Sequence, residues 1–324
     1  MQSVNSGTDS IDAHAHWAPQ AYVTAVEKLG HKAAGGPLSP LMFDLEKRLK
    51  WMDERGVRMH VLTLSGSMPW QWASQDDGNR LARIVNDAAI EAHKAFPDRF
   101  IAGVAMPMRD PAAALKELDR VAGAPGIRAV HLPTSVEGRD YIFEPSFVPV
   151  LARCEELGYP LLFHPLDGLE NHYGGTERLA GATFFYNTLG FPFETATTAA
   201  KFISSGLLDR FPKLDIVLPH SGGCFPYIAG RIEHSIRKGV SDVTLKRPFR
   251  EYIRRFHYDT LAYYPETLRF MIELVGSDRV VIGTDNYAKM DVEYPNALVE
   301  ELELPAEDLD RILRGNAAKL LRLR

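Results

Sequence analysis

Cysteine is scarce in this chain of 324 residues, which contains only Cys154 and Cys224. Two cysteines cannot form a disulfide framework, so a reducing compartment is expected. The N-terminus is polar and lacks the layout of a signal peptide, and we therefore expect the protein in the cytoplasm. Two cysteines are also too few for a cysteine-based metal site, so any metal must be held by carboxylates and by the 11 histidines.

Excess positive charge and long apolar runs are also missing. The chain has 37 Lys and Arg against 42 Asp and Glu, a formal net charge of -5, which argues against a nucleic-acid binder. No run of about 18 apolar residues occurs, so no membrane span is expected. Hydrophobic residues make up 45% of the chain, which excludes a disordered protein. Because no linker or low-complexity tract divides the sequence, we expect one domain over residues 1–324.

The sequence is organised as an alternation of short apolar segments and longer segments of helical period. We predict eight strands at Ser10–Ala13, Val57–Ser65, Arg99–Pro107, Ile127–Pro133, Pro160–His164, Leu214–His220, Phe256–Leu261 and Val280–Asp285. We predict helices at Asp44–Arg55, Asn79–Ala95, Pro111–Ala122, Phe147–Leu157, Thr195–Leu208, Phe225–Arg237, Pro265–Val275 and Pro305–Leu323.

Eight such βα units predict an α/β protein with a (β/α)8 TIM barrel. The competing fold, a doubly wound open sheet, normally has a glycine-rich phosphate turn after its first strand, where this chain has His-Ala-His. Two segments exceed the usual loop length, one from Trp17 to Met42 and one from Pro165 to Phe193. We expect these insertions after strands one and five to form lids or substrate walls.

Histidines and one carboxylate stand where the predicted strands end. Because side chains alternate along a strand, His14 and His16 point the same way and can share a divalent cation. Further polar residues end predicted strands five, six and eight, namely His164, His220 and Asp285. The carboxyl ends of barrel strands meet at one mouth, where active sites lie. These five residues predict a metal site, although they do not reveal which histidine stays off the metal.

Histidine and carboxylate ligands suit Zn²⁺, with Mn²⁺ or another divalent ion as alternatives. Predicted strand four has no Lys that could be carbamylated to bridge a second metal, which favours a single ion. His131 on that strand either faces the mouth as a substrate contact or is buried and bonded to the backbone. We expect Asp12 to orient a ligand histidine.

Several motifs resemble the amidohydrolase superfamily, in particular its branch of muconate-semialdehyde and γ-resorcylate-type decarboxylases. These motifs are Ile11–His16, Phe163-His164-Pro165, Pro219–Pro226 followed by Gly230-Arg231-Ile232, and Gly276–Asp285. The resemblance implies that His14, His16, His164 and Asp285 bind the metal, and that His220 is the general acid/base. We also expect Asp285 to take part in proton transfer.

The resemblance implies a metal-dependent, non-oxidative decarboxylase of a small aromatic or unsaturated carboxylic acid. The alternatives are a hydrolase of a C–C, lactone or amide bond, a hydratase on the same site, and a metal-binding protein without catalysis. We expect a small-molecule acid as the partner and a homodimer or higher homo-oligomer.

The substrate contacts are the least constrained part of the site. The Arg that muconate-semialdehyde decarboxylases carry before the strand-two helix has no counterpart here. We therefore expect Arg231 or Arg237 to contact the substrate carboxylate, either within the chain or across a subunit boundary. Trp17 and Phe191 are expected to form aromatic walls, with His131 as a further contact.

Overall fold

The computed structural model describes residues 9–33, 38–65, 68–69, 72–136, 138–165, 185–240, 242–288 and 290–323. Eight parallel strands follow one another in chain order around a single sheet. They are β1 (Ser10–Trp17), β2 (Val57–Leu64), β3 (Phe100–Val104), β4 (Ile127–Pro133), β5 (Leu161–His164), β6 (Ile216–Leu218), β7 (Phe256–Asp259) and β8 (Val280–Val281). Parallel bridges from Asp12 to Ile282 and from Ala15 to Asn286 bring the chain after β8 back to β1. The predicted (β/α)8 barrel is confirmed.

Helices connect the strands and cover the outside of the barrel. They are α1 (Gln20–Lys28), α2 (Leu45–Glu54), α3 (Gln75–Ala95), α4 (Pro111–Val121), α5 (Val148–Leu157), α6 (Phe191–Ser204), α7 (Leu207–Arg210), α8 (Phe225–Arg237), α9 (Phe249–Ile253), α10 (Pro265–Val275), α11 (Pro295–Glu300), α12 (Ala306–Asp310) and α13 (Asn316–Leu320). Within the described ranges, none of these helices has the length and apolar character needed to cross a membrane.

The barrel interior is a packed core of small and branched side chains. Its members come from alternate strand positions and include Ile11, Ala13, Met59, Val61, Ile101, Ala129, Leu162, Val217 and Val281. Leu320 of α13 and the adjacent Leu321 pack against the same cluster. The barrel is therefore filled with side chains below its mouth, and a ligand can enter only where the strands end.

Most predicted elements are present, with shifted ends. The bounds of β4, α8 and α10 are those predicted. Helix α3 begins at Gln75 instead of Asn79, because the Ser74 hydroxyl caps it by accepting the backbone N–H of Asp77 at 3.2 Å. Helix α5 ends at Leu157, as predicted, and Gly158 caps it in a left-handed conformation with φ of 63°.

The two predicted insertions have different outcomes. The segment after β1 forms helix α1 and a short 3₁₀ turn at Pro40–Met42. Of the segment after β5, residues 166–184 lie outside the described residues. The chain then forms a π-helical turn at Tyr186–Gly190 and enters α6 at Phe191, four residues before the predicted start. A second π-helical turn, at Arg311–Gly315, divides the single helix predicted near the C-terminus.

A bulge in β1 decides which way the first two histidines point. Asp12 pairs with His60 and Ala15 pairs with Leu62, so β1 advances three residues where β2 advances two. A bulge of this kind inserts one residue and turns the following side chains. His14 accordingly lines a small void inside the barrel together with Ala13, whereas Asp12 lies beside His60.

Candidate metal centre and active site

The five residues singled out from the sequence come together at the mouth of the barrel. One ligand atom from each of His14, His164, His220 and Asp285 lies within 4.8 Å of the others. His16 joins them, because its Nε2 lies 2.9 Å from Asp285 Oδ1 and 3.3 Å from His14 Nε2. Strands β1, β5, β6 and β8 each contribute through their carboxyl ends or the residues that directly follow.

Buried acceptors orient the rings of His14 and His16. Asp259 Oδ2 accepts a hydrogen bond from His14 Nδ1 at 2.7 Å. The Thr63 hydroxyl donates to the Ala15 carbonyl at 3.1 Å, so it can accept from His16 Nδ1 at 3.2 Å. Both histidines then carry their proton on Nδ1 and turn the Nε2 lone pair towards Asp285. A metal ligand is usually prepared in this way by a partner on its other nitrogen.

Asp259 is the functional residue that sequence reasoning missed. Besides orienting His14, its carboxylate accepts the backbone N–H groups of His220 at 2.9 Å and Ser221 at 2.7 Å. Burial acts to raise the pKa of Asp259, but the hydrogen bond from His14, the charges of His14 and His220 and the backbone N–H of Ser221 together outweigh it and hold the pKa below its usual value. The signal in the sequence was one carboxylate inside the otherwise apolar end of predicted strand seven.

The turn after β6 presents His220 in an unusual backbone conformation. His220 and Ser221 have φ of 53° and 54°, a left-handed region that non-glycine residues seldom occupy. Gly223 follows with φ of 61°, and a Cβ there would lie 2.2 Å from the Pro192 carbonyl oxygen. Asp285 is also left-handed, with φ of 55°. Backbone strain of this kind gathers at functional sites, where the surrounding structure enforces it.

The side chains fit a divalent metal ion. Two buried polar atoms of this cluster, His164 Nε2 and Asp285 Oδ1, have no hydrogen-bond partner among the described residues. Leaving a buried polar atom unpaired costs about 1–3 kcal/mol, and more for a charged group. Converging imidazole and carboxylate donors are the ligands of Zn²⁺ and of related divalent ions, which would satisfy these atoms.

Electrostatics favour the protonation states that a metal site needs at His16, His220 and Asp285. Burial acts to lower the pKa of His14, but Asp259 outweighs it and raises this pKa, so a metal would have to keep His14 neutral. Burial lowers the pKa of His16 to about 4 and that of His220 to about 3, so both rings are neutral at pH 7. Burial acts to raise the pKa of Asp285, but the neighbouring rings of His14, His16 and His164 together outweigh it and hold the pKa well below its usual range. Neutral imidazoles and an ionised carboxylate are the forms that bind metal ions.

A cavity of about 410 Å³ opens onto this cluster. This volume is within the range of small-molecule sites, about 300–1,000 Å³. His220 and Asp285 belong to its wall, together with apolar side chains that include Leu189, Phe191, Phe193, Leu261 and Met290. The Phe191 ring is nearly parallel to the His220 ring, with centroids 6.1 Å apart. A planar, largely apolar molecule would suit this space.

The predicted substrate contacts are placed in different surroundings. Phe191 lines the cavity. Trp17 is buried in the core, and His131 is buried inside the barrel, where it lines the small void below the cluster with His14 and His164. Arg231 and Arg237 are exposed on α8 and are not in the described lining of the cavity. Arg237 contacts its helical neighbour His234 at 2.9 Å.

Comparison with known proteins gives consistent relatives. A family model described as amidohydrolase matches residues 11–323. The chain is 28% identical to 2-amino-3-carboxymuconate-6-semialdehyde decarboxylase from Dictyostelium discoideum, over 97% of this chain and 91% of that protein. It is 31% identical to gamma-resorcylate decarboxylase from Rhizobium sp. (strain MTP-10005), over 86% of this chain and 87% of that protein.

A solved structure with a bound metal ion has the same fold as this chain. It is a dihydroxybenzoic acid decarboxylase from Polaromonas sp. JS666 with bound manganese and the inhibitor 2-nitroresorcinol. It superposes with a TM-score of 0.83 at 25% identity and covers 98% of this chain and 97% of that one. The family model matches nearly the whole chain, and the barrel and its cluster of strand-end histidines with Asp285 agree with it. The chain belongs to the amidohydrolase family.

Proposed function

We propose that the protein is a metal-dependent, non-oxidative decarboxylase of a small aromatic or unsaturated carboxylic acid. The observation that carries the proposal is the position of His220 and Asp285, side by side in the wall of an aromatic-lined cavity. A neutral imidazole has one N–H and one lone pair, so it can give and accept a proton. Relatives that act on gamma-resorcylate and on a carboxymuconate semialdehyde support a planar acid as the substrate.

We assign His14, His16, His164 and Asp285 as the metal ligands, the set that the resemblance implies. Ligand atoms of His14, His164, His220 and Asp285 lie within 4.8 Å of one another. His16 Nε2 lies 2.9 Å from Asp285 Oδ1 and takes the fourth ligand position, which leaves His220 as the acid/base. When bound, a divalent ion polarises substrate oxygens and stabilises the negative charge that develops there. Three imidazoles and one carboxylate favour Zn²⁺. The manganese in the Polaromonas enzyme makes Mn²⁺ the alternative. Metal analysis of freshly purified protein, followed by reconstitution of the stripped protein with each ion, tests this choice.

His220 delivers the proton on which the reaction depends. Its neutral ring first takes up a proton from solvent. The imidazolium then protonates the carbon that bears the carboxylate and returns to the neutral form, the bond to the carboxylate breaks, and CO₂ leaves. The electron pair of that bond restores the unsaturated system, and the proton remains in place of the carboxylate. His220 Nε2 lies 3.9 Å from Asp285 Oδ2, so a small movement allows a proton to pass between them.

Arg231 and Arg237 are the proposed carboxylate contacts. Both are exposed on α8 and lie outside the described lining of the cavity in their own chain. We therefore place the contact between subunits of a homodimer or larger homo-oligomer. Mixing an Arg231→Ala variant with a His220→Ala variant tests this, because mixed oligomers regain activity only if the arginine serves a neighbouring site. Recovery no greater than the sum of the separate variants would refute the arrangement.

Decarboxylation itself is tested by following both products. The enzyme is incubated in D₂O with a panel of hydroxybenzoic and unsaturated acids. We expect CO₂ and one deuterium in the product for each CO₂ released, at the carbon that carried the carboxylate. His220→Asn is the matched control, which should keep the metal and lose the reaction. Turnover of esters, lactones or amides without CO₂ release would indicate the hydrolytic alternative instead.

A further inference from the structure

Arg48 of α2 is fully buried, which is unusual for a cation. Its guanidinium donates to the backbone carbonyls of His16 at 2.5 Å and Leu41 at 3.0 Å. It also contacts His60 Nδ1 at 3.2 Å, and it lies 4.8 Å from the centre of the Tyr287 ring. Burying a charge is costly unless it is paired and hydrogen-bonded. Arg48 therefore occupies a site built around it, and one of its acceptors belongs to a metal-ligand residue.

The contact with Arg48 determines where His60 carries its proton. Arginine only donates, so His60 Nδ1 must be the acceptor, and the proton of the neutral ring is on Nε2. This Nε2 atom faces Asp12 Oδ2 at 3.4 Å. His60 itself has no exposed surface, and burial together with the Arg48 charge lowers its pKa well below the usual value. His60 thus links a buried cation to a buried carboxylate.

Asp12 forms hydrogen bonds with the two segments that carry metal ligands. Its Oδ1 accepts the backbone N–H of His14 at 2.9 Å and that of Thr284 at 3.2 Å. Its Oδ2 accepts the Thr284 hydroxyl at 2.5 Å. His14 is a metal ligand, and Thr284 immediately precedes the ligand Asp285. One carboxylate therefore ties β1 to the turn after β8.

We propose that Arg48, His60 and Asp12 form a buried chain of positioning residues that fixes the metal ligands of β1 and of the turn after β8. The proposal rests on the metal centre of the proposed function. Arg48 donates to the backbone carbonyl of His16. Asp12 accepts the backbone N–H groups of His14 and Thr284, and so connects the segments that carry His14 and Asp285. The His60 ring lies between the Arg48 guanidinium and the Asp12 carboxylate and fixes their separation. None of the three lines the substrate cavity in the described part of the chain.

Two substitutions of His60 test whether its polar contacts position the metal ligands or whether its ring only fills space in the core. Glutamine can accept from Arg48 through its carbonyl and donate to Asp12 through its amide, whereas leucine can do neither. His60→Leu should weaken Zn²⁺ binding by about 10–100-fold, the usual effect of losing an outer partner of a metal ligand. His60→Gln should bind Zn²⁺ within about threefold of the wild type, because it can still accept from Arg48 and present an N–H to Asp12. Affinity is measured by competition with a chelator.

His257 on β7 offers a matched control. It is a buried strand histidine whose ring neighbours Arg279 and Asp278, away from the metal ligands. His257→Leu should lower stability without changing Zn²⁺ affinity. Equal losses of affinity in His257→Leu and His60→Leu, or an equal loss in His60→Gln, would overturn the proposal.

The tautomer of His60 gives a second readout that does not depend on activity or on metal. In ¹⁵N-histidine-labelled apoprotein, long-range ¹⁵N–¹H correlation should show His60 protonated on Nε2, assigned by its loss in His60→Gln. Protonation on Nδ1 would break the chain at Arg48 and overturn the proposal. Wild-type protein that binds Zn²⁺ but releases no CO₂ from any acid would instead refute the proposed function, with the affinity ratios still deciding the role of His60.

Discussion

Replacing Asp259 by asparagine should test whether Asp259 orients His14, because the substitution leaves the shape of the site nearly unchanged. The side chain keeps its size but loses its charge and one acceptor. Asp259 Oδ1 receives the backbone N–H groups of Ser221 at 2.7 Å and Leu261 at 3.1 Å. The asparagine oxygen should keep these two bonds, so its amide nitrogen would face His14 Nδ1 and the backbone N–H of His220.

Two consequences follow from this arrangement. His14 must accept from the new amide, so its proton moves to Nε2, the atom that should bind the metal. Metal affinity should therefore fall about 10–100-fold. The backbone N–H of His220 loses its acceptor, which costs about 1–3 kcal/mol for a buried unpaired group. The free energy of unfolding of the apoprotein should fall by a similar amount.

Chelator competition with Zn²⁺ and chemical denaturation of the apoprotein measure the two effects separately. Asp215→Asn is the matched control, because Asp215 directly precedes β6, at the end of the barrel away from the ligands. If Asp259→Asn bound Zn²⁺ with the affinity of the wild type, the orientation of His14 would not depend on Asp259, and the reasoning would be refuted. A loss of Zn²⁺ affinity without a loss of stability would show that the backbone N–H of His220 does not depend on Asp259 as its acceptor.

Three further predictions concern the metal, the proton donor and the carboxylate contact. Replacing His14 and His16 together by Ala should strip the metal, and elemental analysis showing about one divalent ion per chain in the double variant would contradict the ligand assignment. His220→Ala should retain most of the metal and lose about 10²–10⁴-fold in kcat; loss of the metal first would make His220 a ligand. Arg231→Lys or Arg237→Lys should raise KM or lower kcat at unchanged metal content, because Lys cannot replace a bidentate contact. Wild-type kinetics in both would remove these arginines from substrate binding, and a lowered thermal midpoint alone would indicate a structural role.

Local patterns in the sequence were enough to predict the barrel. The eight apolar strands and their intervening helices each carry their own periodicity, and β4 has the bounds predicted. The positions of His164, His220 and Asp285 could be predicted as well, because a residue at the end of a parallel strand must lie at the common mouth. Phe191 lies in the cavity wall, and its contact with a substrate stays a prediction.

Orientation within the site could not be predicted, because it depends on contacts between distant segments. Alternation along β1 predicted that His14 and His16 share a side, and their Nε2 atoms lie 3.3 Å apart. It could not predict that a bulge against β2 brings His14 to the void inside the barrel. Asp259 gave little signal, because the groups it holds, His14 and the turn at His220, are brought to it only by folding.

The sequence by itself determined which residues alternate, where strands end and which side chains can bind a metal, because these properties depend on neighbours in the chain. The tertiary structure alone decided what is buried and what is paired. Helix α2 shows the difference. Its sequence predicts an apolar face of Leu45, Leu49 and Met52, yet it buries Arg48 beside Met52. A buried cation is stable only where other segments supply its acceptors, and here these come from β1, from β2 and from the chain before α2.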